Sequence, residues 1–140
     1  MARIDSPSKH PAIKQVMRLL VWHDPVLHHH IKHEFCGVCD DRHKQDSRLF
    51  SHSFHRRDNV ICWARNAFRE LSHAQIAGIC LHEIGHQMTG PMPGATEYES
   101  EKAADLAVLR EFGIEIIYAK PRLIQTVDLD QIQKAMLERR

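Results

Sequence analysis

Two successive segments of this chain carry the same start and stop punctuation for an α-helix, and that pairing constrains the fold more than any other feature. In "LSHAQIAGICLHEIGHQMTGP" (71–91), Ser72 followed three positions on by Gln75 is a capping-box signature, and Gly90-Pro91 is a strong stop. In "GATEYESEKAADLAVLREFG" (94–113), Thr96 and Glu99 repeat the pattern, acidic residues fill the first turn, and Gly113 follows the last periodic residue. The first segment predicts a helix over about 73–88, with Ile76, Cys80 and Ile84 on a stripe that can face a core. The second predicts another helix between Thr96 and Gly113. Only four residues separate Pro91 from Thr96, so the two helices are close neighbours along the chain.

The remainder is less regular. "SPSKHPAIKQVMRLLVW" (6–22) reads as a first helix, with Ile13, Val16, Met17 and Leu20 on one side. "HDPVLHHHIKHEFCGVCDDRHKQD" (23–46) has no sustained period and reads as irregular. "NVICWA" (59–64) and "IEIIYA" (114–119) are strand candidates, rich in β-branched and aromatic residues. "TVDLDQIQKAMLERR" reads as an amphipathic C-terminal helix. These elements imply an α+β fold, a small sheet packed by several helices. At 140 residues the chain suits a single domain. Within it, residues 1–58 are polar and hold nine of the twelve histidines, while 59–140 alternate between periodic segments and turn signals.

Composition narrows the class of function. The charged fraction of 26% and apolar fraction of 43% are those of a globular protein. A formal net charge of +1 offers no electrostatic footprint for nucleic acid or an anionic membrane. No early apolar stretch resembles a signal-peptide core, and "LLVW" is far short of the roughly 20 residues that a membrane helix needs. A cytoplasmic protein with reduced Cys36, Cys39, Cys62 and Cys80 is the default expectation.

Chemistry is concentrated in "HEIGH" (82–86). With twelve histidines in the chain, chance supplies roughly 0.06 matches to His-Glu-x-x-His, so the motif is informative when its context is helical. A four-residue step on a helix turns 400°, which brings His82 and His86 within about 40° of each other and one turn apart. Both imidazoles can then reach one ion at about 2.0–2.1 Å. Glu83 lies about 100° round from His82. It flanks the metal face without ligating, as a general base for a metal-bound water must. A catalytic zinc needs a third protein ligand and an open position. No histidine follows His86, so the third ligand is sought among carboxylates on the next helix: Glu97, Glu99, Glu101 and Asp105.

"HEIGH" followed by "ESEKAAD" resembles the gluzincin arrangement of zinc metallopeptidases, in which a second helix supplies Glu-x-x-x-Asp. The stretch over about 59–118 is similar to small soluble gluzincins, including ImmA-like peptidases of mobile elements. The resemblance implies a minimal zincin-like domain in which one helix bears His-Glu-x-x-His and the next bears the glutamate. It implies Glu101 as third zinc ligand and Asp105 as the acid that hydrogen-bonds a ligand histidine, with Glu97 the substitute if the second helix starts late. It further implies a zinc-dependent endopeptidase acting on a peptide or protein substrate, with "NVICW" as an edge strand along which that substrate lies. Tyr98, His73, His52 and His55 are candidates for stabilising the developing oxyanion. A non-catalytic zinc-stabilised binding protein with the same fold is the competing expectation.

A second constellation sits upstream. His33, Cys36, Cys39 and His43 have the spacing His-x2-Cys-x2-Cys-x3-His and offer the thiolate and imidazole ligands of a structural zinc site. An inert loop and a redox-active thiol pair are the other readings of the same residues.

Overall fold

Both capped segments form the helices their caps predict, and everything else is arranged around the first of them. In a computed structural model, the described residues are 5–35, 56–57, 59–119 and 124–138. Six α-helices and two small sheets make up an α+β architecture that is mostly helical: α1 (Pro11–His23), α2 (Pro25–His30), α3 (Ala67–Glu70), α4 (His73–Thr89), α5 (Glu97–Phe112) and α6 (Leu129–Glu138). The strands are β1 (Lys32–Phe35), β2 (Arg56–Arg57), β3 (Val60–Trp63), β4 (Ile117–Ala119) and β5 (Ile124–Thr126).

Local chemistry sets the element boundaries. Pro11 occupies the first turn of α1, where its missing N–H costs nothing, and the Nδ1 of His10 accepts from the backbone N–H of Ala12 at 3.1 Å. Asp24 ends α1 and caps α2, accepting from the N–H of Leu27 at 3.0 Å. Both capping boxes close reciprocally. Ser72 and Gln75 exchange bonds of 2.9 and 3.1 Å, and Thr96 and Glu99 bonds of 2.8 and 3.1 Å.

The first sheet runs in the order β1-β3-β2, with β1 parallel and β2 antiparallel to β3. The 23–46 stretch, expected to be irregular, therefore supplies a helix and a strand up to Phe35. Two of β1's residues, His33 and Phe35, are buried, and tertiary pairing overrides the weak local pattern. β3 is the strand expected from "NVICWA", but it is the middle strand and not an edge. Only its burial on both faces is compatible with Ile61, Cys62 and Trp63 all being fully enclosed. β4 and β5 form a separate antiparallel hairpin pairing Ile117 with Thr126, Tyr118 with Gln125 and Ala119 with Ile124. The strand expected over 114–119 thus begins at Ile117; its partner β5 takes in Thr126, expected to open the C-terminal helix, which instead begins at Leu129.

α4 occupies the centre. Every residue from Ile76 to His86 is buried, so the single core-facing stripe expected for this helix is replaced by enclosure on all sides. α1 packs against it with Ile13, Val16, Leu19 and Leu20, all fully buried, and α6 adds Ile132. One continuous cluster of buried side chains runs from Ala12 to Ala135, joining the polar first third of the chain to the rest. Two glycines let backbones touch α4. A Cβ on Gly78 would lie 2.6 Å from the Gln125 carbonyl, which is where β5 crosses the helix. A Cβ on Gly85 would lie 2.9 Å from the carbonyl carbon of Ala104, where α5 crosses. No helix among the described residues is long and apolar enough to cross a membrane.

Candidate metal centre

The close α4–α5 crossing at Gly85 sets the site, because Ala104 is flanked in sequence by the two carboxylates that face α4. Glu101 accepts from His82 Nε2 at 2.6 Å through one oxygen and from His86 Nε2 at 3.0 Å through the other. Asp105, one turn further along α5, accepts from His82 Nδ1 at 2.7 Å. The two imidazoles stand edge to face with centroids 4.6 Å apart. His82 is fully buried, and His86 nearly so, whereas the Glu101 side chain is 43% exposed. The cluster is therefore walled by protein behind the histidines and reaches solvent on the glutamate side.

Among the described residues, His82, His86 and Glu101 form the one group whose ligand atoms converge as a metal requires, all lying within 4.8 Å of one another. Two ligands at tetrahedral zinc distances lie roughly 3.3 Å apart. The hydrogen-bonded spacing of 2.6–3.0 Å between Glu101 and the two Nε2 atoms therefore needs only a sub-ångström withdrawal of an exposed carboxylate to accommodate an ion. The donor set, two neutral imidazoles and a carboxylate, suits zinc. Of the carboxylates on α5, Glu101 is the one whose oxygens meet both Nε2 atoms. Glu99 is committed to its capping box and Glu97 is exposed on the first turn of α5, so neither joins the group.

Charge in the metal-free cluster follows from the same bonds. Burial alone would lower the His82 pKa, but the hydrogen bonds to Asp105 and Glu101, reinforced by the charges of Glu83 and Glu101, outweigh it and push it up to about 9. Hydrogen bonds from His82 and His86 hold the Glu101 carboxyl well below the usual carboxylate range. Glu83 is buried beside His82 and Cys80, close enough for its charge to act on both, and is not one of the convergent ligands.

Tyr118 is the participant that the sequence did not single out. Its hydroxyl donates to the second oxygen of Asp105 at 2.7 Å. A tyrosine thirteen residues away in another element has no local signature, and only the docking of β4 against α5 reveals it. The expected oxyanion candidates fare differently. Tyr98 is largely exposed, with the Lys102 ammonium 5.3 Å from its ring, and His73 packs edge-on against His10. His52 and His55 lie outside the described residues.

Of the upstream constellation, Cys36, Cys39 and His43 lie outside the described residues, and His33 is a core side chain. Its Nδ1 accepts from the Trp63 indole at 3.0 Å and its Nε2 lies 3.3 Å from the Met17 sulfur. Burial lowers its pKa to about 4. Both ring nitrogens of His33 thus meet partners within the core. Cys62 is joined in a disulfide whose partner lies outside the described residues, while Cys80 is a buried free thiol. The expectation of four reduced thiols is corrected at Cys62: a fully buried strand position leaves the side chain small-residue packing in either oxidation state, so burial carried no redox information.

No family model, no curated protein and no solved structure matches the chain. What the site can do rests on its own geometry.

Proposed function

We propose that this protein is a zinc-dependent metallopeptidase of gluzincin type. The observation that carries the reading is the convergence of His82 Nε2, His86 Nε2 and both Glu101 oxygens from two adjacent helices, with Asp105 behind His82. A zinc ion held by His82, His86 and Glu101 would supply a polarised water and a Lewis acid for a peptide carbonyl. Glu83, adjacent to the ligand histidine and not itself a ligand, takes a proton from the attacking water at its carboxylate. It then delivers that proton to the departing amine nitrogen as the C–N bond breaks. Asp105 holds the Nδ1 proton of His82, which leaves Nε2 as the lone pair facing the ion. Exposure of the Glu101 side supports access for an extended peptide and water.

The test separates binding from turnover. Glu83→Gln is expected to retain one zinc per chain and to lose at least 100-fold in peptide hydrolysis, whereas Glu101→Ala is expected to lose the metal. Full hydrolysis by Glu83→Gln removes this residue, and the mechanism, from consideration. The burial of Glu83, only 4% exposed, favours one competing reading, a zinc-stabilised binding protein without turnover. X-ray absorption decides between them: three protein ligands plus water support the peptidase, and four protein ligands the structural alternative.

A further inference from the structure

We propose that Tyr118 is a positioning residue of the metal centre, acting through Asp105 on His82; the proposal rests on the reading of His82, His86 and Glu101 as a metal site. Asp105 has two oxygens and two partners. One oxygen accepts from His82 Nδ1 at 2.7 Å, and the other accepts from the Tyr118 hydroxyl at 2.7 Å. A carboxylate held by a single bond can rotate about its own axis and present either oxygen, or neither, to the imidazole. The second anchor removes that freedom. It also shares the negative charge of Asp105 between two donors, which keeps the proton on His82 Nδ1 and keeps Nε2 directed at the ion.

The hydroxyl is itself held by the fold. Tyr118 stands directly across the hairpin from Gln125, whose side chain hydrogen-bonds it. The backbone of Gln125 and Thr126 rests on Gly78 of α4, at a distance that only glycine permits. One turn further along α4 stands His82. The contacts therefore close a ring, from α4 through β5 and β4 to Asp105 on α5 and back to α4 at His82. Burial, together with the charge of Asp105, raises the Tyr118 pKa far above its ordinary value, so the phenol remains a donor across the whole working range.

A tyrosine that merely staples the hairpin to α5 would show the same bond. Zinc affinity of the full chain, measured by competition with a chromophoric chelator, separates the two roles. Tyr118→Phe deletes only the hydroxyl and is expected to weaken zinc binding about 10-fold, the lower end of what loss of such a supporting bond costs. In an Asp105→Asn background the same change is expected to have no further effect on affinity, because the hydroxyl acts only through that carboxylate. In zinc-loaded protein the His82 Nδ1–H proton resonance is expected to broaden by exchange in Tyr118→Phe. Should Tyr118→Phe lower the melting temperature of metal-free protein while leaving zinc affinity and that resonance unchanged, the positioning role is overturned and the peptidase reading is untouched. An undiminished effect in the Asp105→Asn background overturns it too. Weakened zinc binding in a protein that cleaves no peptide upholds the role of Tyr118 and removes the peptidase.

Discussion

Gly85→Ala opposes two well-understood effects and so tests the site's architecture directly. By helix propensity alone, alanine in the middle of α4 should stabilise the protein by about 1 kcal/mol. In the folded chain, however, the added methyl would sit 2.9 Å from the carbonyl carbon of Ala104, 3.1 Å from its Cα, and nearer still to its carbonyl oxygen. These are backbone atoms of α5, so no rotamer change relieves the overlap. Ordinary contact begins near 3.4 Å, and restoring it requires α5 to retreat by about 1 Å along the crossing. Overpacking of this kind costs about 1–3 kcal/mol, which cancels the gain of about 1 kcal/mol and leaves a net loss of up to about 2 kcal/mol. For a chain of 140 residues that is a fall of up to roughly 7 °C in melting temperature. Because Ala104 lies between Glu101 and Asp105, the same retreat carries both carboxylates away from His82 and His86. Withdrawing these carboxylates from the two imidazoles is expected to weaken zinc binding. Thermal melts of metal-free and zinc-loaded protein, together with a zinc competition titration, measure both effects. A Gly85→Ala variant that melts at or above wild type, with zinc affinity unchanged, would refute the close crossing as the device that sets the site.

Two further outcomes are expected beyond those given for Glu83 and Tyr118. Metal-free protein should be most stable near pH 6.5 and lose stability on both sides. Below that pH the loss comes from His33, held neutral by burial down to about 4, and from His10, lowered to about 4 by burial and the neighbouring His73; the unfolded chain takes up both protons first, and His33 alone contributes about 3 kcal/mol at most as pH falls from 6.5 to 4. Above it the loss comes from His82, whose raised pKa of about 9 gives a contribution that is complete below 6.5 and disappears as pH rises through 9. Zinc replaces that proton, so zinc-loaded protein should lack the alkaline decline; denaturant midpoints against pH, with and without metal, check this, and a flat metal-free profile from 6.5 to 9 contradicts it. His33→Ala should cost about 2–4 kcal/mol by leaving the Trp63 indole without its acceptor, and Trp63→Phe should cost less in that background than in wild type by urea unfolding; strict additivity would show that the bond at 3.0 Å is not what couples them.

The sequence by itself determined the two central helices and the candidate ligand residues upon them. Ser72, Gln75, Thr96 and Glu99 act within one turn of chain, and the four-residue spacings of His82–His86 and Glu101–Asp105 fix which side chains share a face. Such information is local, so it is legible without knowing where the rest of the chain goes. What tertiary structure alone decided is non-local. The selection of Glu101 over Glu97 follows from the register at which α5 crosses Gly85, the enclosure of α4 on every side from the packing of α1, α5, α6 and β5, and the place of β3 in the middle of its sheet from pairing with β1. Tyr118 reaches Asp105 because a hairpin folds back onto α4, and His33 belongs to the core because Trp63, its diagonal neighbour on β3, meets it there. Each of these depends on backbones far apart in sequence meeting at van der Waals distance. A periodic pattern can state that a face is apolar or a pair of imidazoles adjacent, but not which distant atom will meet them.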